Sequence, residues 1–91
     1  MKSCAHVVIS GRVQGVWFRA STKQKAKELG LFGWVRNTRD GDVEAVFEGD
    51  EKLVKEMIDW CHIGPPQSEV EKVEVTSQSP CDGFEGFSIK Y

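Results

Sequence analysis

The sequence has no apolar run near the roughly 18–20 residues that span a bilayer, no Cys-x-x-Cys pair, no internal repeat and no low-complexity stretch. The first absence argues against a membrane protein. The second excludes a zinc framework. The three cysteines, Cys4, Cys61 and Cys81, are odd in number, so one is unpaired in any monomer. Reduced thiols are expected, with Cys61 on a buried helix face; whether any pair forms a disulfide cannot be read from spacing. Met1–His6 leads into a β-like run without a cleavage pattern, which predicts a cytoplasmic protein. With 91 residues and no linker, one domain covering 1–91 is expected.

Charge is present but unevenly spread. Residues 1–39 hold eight Lys/Arg against the single acid Glu28, and residues 40–91 hold four bases against thirteen acids. The net charge of −2 therefore hides a basic half, which suggests an anion-facing end.

The hydrophobic pattern predicts elements in the order β-α-β-β-α-β with one more short strand. His6–Ser10 reads as a strand ended by Gly11. Phe18, Thr22, Ala26 and Leu29 recur at helical spacing, with Gly30 as the stop. Gly33–Asn37 and Val43–Glu48 read as strands joined through an Asp40-Gly41 turn. Asp50 caps a second helix with Leu53, Met57, Trp60 and Cys61 on one face, widened by Val54 and Ile58, and Gly64-Pro65-Pro66 ends it. Val70–Thr76 and Phe87–Tyr91 complete the set. The expected fold is α+β, a ferredoxin-like two-layer sandwich: an antiparallel sheet with both helices on one face and a short C-terminal fifth strand. A right-handed crossover makes the first two strands parallel, so the loop from Arg12 to Phe18 must face Asn37 at one sheet end.

A strand that passes through a Gly-containing loop into a helix presents unpaired backbone N–H groups, a nest for an anion. Arg19 falls in the first helical turn, where the helix dipole disfavours a cation. A bound anion chelated by its guanidinium explains it best. Without a Gly-Lys-Ser/Thr sequence this is no nucleotide triphosphate loop. Val16 and Phe18 read as anchors of the loop to the core.

The run Gly11-Arg12-Val13-Gln14-Gly15-Val16-Trp17-Phe18-Arg19 resembles the acylphosphatase signature, and Gly33 to Val43 resembles that family's second block. Gly64-Pro65-Pro66 and Phe87-x-Ile89-x-Tyr91 also match in place. Ser68 stands where many relatives have Ala. The resemblance implies a metal-independent hydrolase that converts acyl phosphates to a carboxylate and inorganic phosphate. It implies that Arg19 binds phosphate, that Asn37 orients the attacking water, and that the backbone of Gln14, Gly15, Val16, Trp17, Phe18 and Arg19 cradles the phosphate oxygens. The partners expected are a small-molecule acyl phosphate and its phosphate product, with no nucleic acid, no membrane, no cofactor and no metal, and a monomeric chain.

Other residues fit this reading. His6 and His62 lie outside both motifs, no cysteine lies in the loop, and Asp40 and Asp42 flank a turn glycine rather than a metal. Trp60 reads as core, whereas Trp17 either packs or covers the substrate's acyl group. RNA-recognition domains share the element order, but the third strand here is acidic with one aromatic residue. A silent phosphate-binding regulatory domain is the other alternative; having both Arg19 and Asn37 favours turnover.

Overall fold

The computed structural model describes residues 2–77 and 83–90, so Cys81 and Tyr91 lie outside the described residues. The elements are β1 (Lys2–Arg12), α1 (Phe18–Glu28), β2 (Phe32–Asn37), β3 (Val43–Asp50), α2 (Glu51–Cys61), β4 (Glu69–Ser77) and β5 (Phe87–Ile89). The strands form one sheet in the order β4-β1-β3-β2-β5. α1 packs over β2 and β5 while α2 packs over β1 and β3. This is the ferredoxin-like α+β arrangement expected from the hydrophobic pattern, with one correction. The sheet is mixed, because β5 pairs with β2 in parallel. The chain leaves β4 at one sheet edge and enters β5 at the other, a crossover that permits parallel pairing where a hairpin does not.

Alternation along the strands builds the core. Ala5, Val7 and Ile9 of β1, Val35 of β2 and Val43, Ala45 and Phe47 of β3 are all buried on the helix side. From above, α1 contributes Phe18, Thr22 and Ala26, and α2 contributes Val54, Met57 and Cys61. Each large apolar side chain removed from water contributes about 1.5–3 kcal/mol. The buried Thr22 hydroxyl donates to the Phe18 carbonyl at 2.7 Å, so its burial leaves no polar group unpaired. On α2 the buried stripe is narrower than expected. Val54, Met57 and Cys61 lie at its centre, with Leu53 and Trp60 only half-buried at its margins.

β1 extends well beyond His6–Ser10 in both directions. It pairs with β3 from Lys2 onward and with β4 as far as Arg12, so flanking polar residues gain ladder partners that local patterning does not reveal. Gly11 does not end the strand. It sits at a register shift between β1 and β4, with φ of 123°, where a Cβ would collide with the Glu69 carbonyl.

The other sheet face carries ionic pairs. Glu44 accepts from Arg36 and pairs with His6, each at 2.6 Å. The buried Glu48 carboxylate pairs with Lys2 at 2.7 Å and accepts from the Gly83 and Phe84 backbone. Lys2 and Arg36 thus answer acids of the second half, so not all of the basic excess belongs to one anion site. Cys61 is a free, fully buried thiol whose pKa burial pushes up to about 12. Cys4, by contrast, is disulfide-bonded, which corrects the expectation of reduced thiols throughout.

Candidate active site

β1 and β2 both run antiparallel to the β3 strand between them, so their carboxyl ends emerge together. The loop after β1 turns by alternating the hand of its backbone. Gly15 has φ of 74° and Trp17 has φ of 65°, with Val16 between them at negative φ. Alternation of this kind turns successive N–H groups toward one concave side. At Gly15 a Cβ would meet nothing within 4 Å, so conformation rather than space calls for glycine there. Trp17 is the one non-glycine at positive φ among the described residues. Its left-handed backbone costs about 1–2 kcal/mol, which the buried anchors Val16 and Phe18 on either side offset.

The two helix N-termini differ. Asp50 caps α2 by accepting from the Lys52 N–H at 3.0 Å, with Glu51 in the first turn. α1 has no side-chain cap and no acid in its first turn, and Arg19 stands there instead. Its first N–H groups therefore have no side-chain cap, and no acid in the first turn offsets the positive end of its dipole.

Between the loop and the end of β2 lies a cavity of about 290 Å³. Arg19 and Asn37 supply its charged and polar side chains, Gly15 and Trp17 form its rim, and Val13, Phe18, Ala20 and Ile89 line it. The Asn37 Oδ1 atom is buried, and among the described residues no group donates to it. A buried amide oxygen without a partner costs free energy; such groups in a cleft are suited to holding a polar ligand. The Gln14 side chain ties the two halves together. Its Nε2 donates to the Thr38 carbonyl at 2.8 Å and to the Asp42 carbonyl at 2.9 Å. Those residues close the β2–β3 turn, where Thr38 and Asp42 also bond each other through backbone and hydroxyl.

The structure brings together Arg19, Asn37, Gly15, Trp17 and Phe18 of the residues singled out in the sequence. It turns two side chains away: Val16 into the core and Gln14 toward the turn. The ring of Trp17 is 76% exposed, so packing is not its role. Trp60 does pack, half-buried, with its ring centroid 5.6 Å from that of Phe18. His6 and His62 are held by Glu44 and by the Ile58 carbonyl, away from the cavity. Val13, Ala20 and Ile89 were missed. The Phe87/Ile89 alternation marked a strand, but only its parallel pairing with β2 carries Ile89 to the cavity.

Comparison with known proteins identifies the family. The acylphosphatase family model matches residues 5–89. An acylphosphatase of Pelotomaculum thermopropionicum is 51% identical over 87 residues, covering 96% of this chain and 95% of its own. The crystal structure of acylphosphatase from Bacillus subtilis superposes with a TM-score of 0.95 at 36% identity over the whole of both chains. An acylphosphatase structure from Coxiella burnetii gives a TM-score of 0.94 at 39% identity, covering 98% of this chain and 93% of the other. This chain belongs to the acylphosphatase family, hydrolases that act on acid anhydrides.

Proposed function

We propose that this protein hydrolyses acyl phosphates to a carboxylate and inorganic phosphate as a single domain, without a metal. The backbone from Gln14 to Arg19 and the Arg19 guanidinium bind the phosphate, and Asn37 orients the attacking water. One observation carries the reading: Arg19 and Asn37 line the same cavity, and no described group donates to the Asn37 amide oxygen.

The chemistry needs little more. An acyl phosphate is a mixed anhydride, and its leaving carboxylate is a weak base that departs without a general acid. The water oxygen bonds to phosphorus as the phosphorus–acyl oxygen bond breaks, and that electron pair leaves on the carboxylate. Asn37 Oδ1 accepts a hydrogen bond from the water and fixes its line of approach. Charge gathers on the equatorial phosphate oxygens, where the loop N–H groups and Arg19 stabilise it. The water proton passes to a phosphate oxygen, so no side-chain base is required.

The test is hydrolysis of benzoyl phosphate by the purified chain with EDTA present. Turnover is expected in the wild type. Arg19→Gln should weaken inorganic phosphate binding and turnover together. Asn37→Ala should lower kcat about a hundredfold with phosphate binding largely kept. An inactive wild type, or fully active variants, would refute the assignment.

A further inference from the structure

Trp17 presents the most exposed large apolar side chain of the described residues, 76% accessible, at the rim of the cavity that Arg19 and Asn37 line. Evolution of a stable fold does not favour this placement. Its ring is mostly exposed, and its backbone is held at a φ of 65° that a tryptophan rarely adopts. The flanking Val16 and Phe18 are buried and anchor the loop on either side of it. The ring is therefore free to act on what enters the cavity. The rest of the lining divides by chemistry. Arg19 and Asn37 suit a phosphate and a water, whereas Val13, Phe18, Ala20 and Ile89 offer nothing that an anion would seek.

We propose that Trp17 is a specificity residue which stacks on or covers the acyl group, so that the enzyme prefers acyl phosphates with a flat or bulky apolar acyl part over small ones. This rests on the function proposed above. The phosphate end is common to every acyl phosphate, so discrimination falls to the part of the substrate that meets apolar surface. An aromatic ring that is wet before binding and covered after it contributes through area and through stacking.

The experiment compares kcat/KM for benzoyl phosphate and acetyl phosphate in the wild type, Trp17→Phe, Trp17→Ala and Trp17→Gly, with inhibition by inorganic phosphate measured alongside. The ratio of benzoyl to acetyl phosphate should fall about tenfold in the Ala and Gly variants and be largely retained in Trp17→Phe. Glycine accepts the left-handed backbone at this position, and any loss common to both substrates, as from a loosened phosphate-binding loop, cancels in the ratio. An unchanged ratio, or an equal loss for both substrates in Trp17→Gly, overturns the assignment and leaves the hydrolase function standing. A wild type that cleaves neither substrate overturns the function and this inference together.

Discussion

The Gln14 strap can be cut without touching the cavity lining. Gln14→Leu keeps the bulk of the side chain and removes both donors to the Thr38 and Asp42 carbonyls, bonds of 2.8 and 2.9 Å. Each such bond contributes about 0.5–1.5 kcal/mol net. The two carbonyls are not orphaned by the change. Asp42 still accepts from the Thr38 N–H at 2.9 Å, and Thr38 from the Gly41 N–H at 3.4 Å. The loss should therefore be about 1–2 kcal/mol, or a fall in Tm of roughly 5–15 °C for a chain of this size. Asn37 directly precedes Thr38, so slack in the turn moves the amide relative to Arg19. Small misplacements of a positioning group are costly, and kcat for benzoyl phosphate should drop about tenfold at a temperature where the variant remains folded. Gln14→Glu adds a charge test. Its carboxylate would oppose two carbonyl oxygens, so the deficit near neutral pH should exceed that of Gln14→Leu. It should ease as pH falls, because a protonated carboxyl can donate to one of them. Circular dichroism melts and steady-state kinetics read both effects. A lowered Tm with kcat within about twofold of the wild type would show that the strap stabilises the fold without aligning the site, and the reasoning would fail.

Two further outcomes follow from buried groups on the sheet and α2. Burial alone would raise the Glu48 carboxyl, but hydrogen bonds from Lys2, Phe84 and Gly83 and the Lys2 charge outweigh it and hold the pKa below the ordinary 4.5. Glu44 is lowered in the same way, burial being outweighed by His6 and Arg36. A lowered carboxyl contributes stability that is fully present above 4.5 and lost as pH falls through its folded value. Tm should decline as pH is taken from 6 toward about 3, less steeply in Glu48→Gln, and an identical slope in that variant would count against the pairing. Cys61 is fully buried with its pKa at about 12, so iodoacetamide should leave it unlabelled in the native protein and modify it once denaturant is added. Stoichiometric labelling of the native protein at pH 8 would contradict that burial.

The parts legible from sequence and the parts that were not differ in how far apart the contributing residues lie. Gly11 to Arg19 is one continuous run, and its turn, anchors and helix start follow from glycine placement and helical spacing within it. Asn37 could be set against that run because a βαβ crossover leaves few topologies, and the structure brings both to one cavity. Ile89 could not be foreseen there, since it arrives through a parallel pairing with Val35 of β2, far away along the chain. The Gln14 side chain was equally opaque. Its bonds lie 24 and 28 residues away, and an amide that could point at a ligand or at two carbonyls looks the same in one dimension. The direction of Trp17 depended on the sign of a single φ, which residue type argues against rather than for. This division has a chemical consequence. Backbone N–H groups are specified by the conformation of a short loop, so a phosphate-binding nest can be read from a local motif. An apolar lining is assembled from Val13 and Trp17 in the loop, Phe18 at the start of a helix and Ile89 on the last strand. On the proposed function, selectivity for the acyl group therefore depends on tertiary assembly, whereas phosphate binding depends on the conformation of the loop alone.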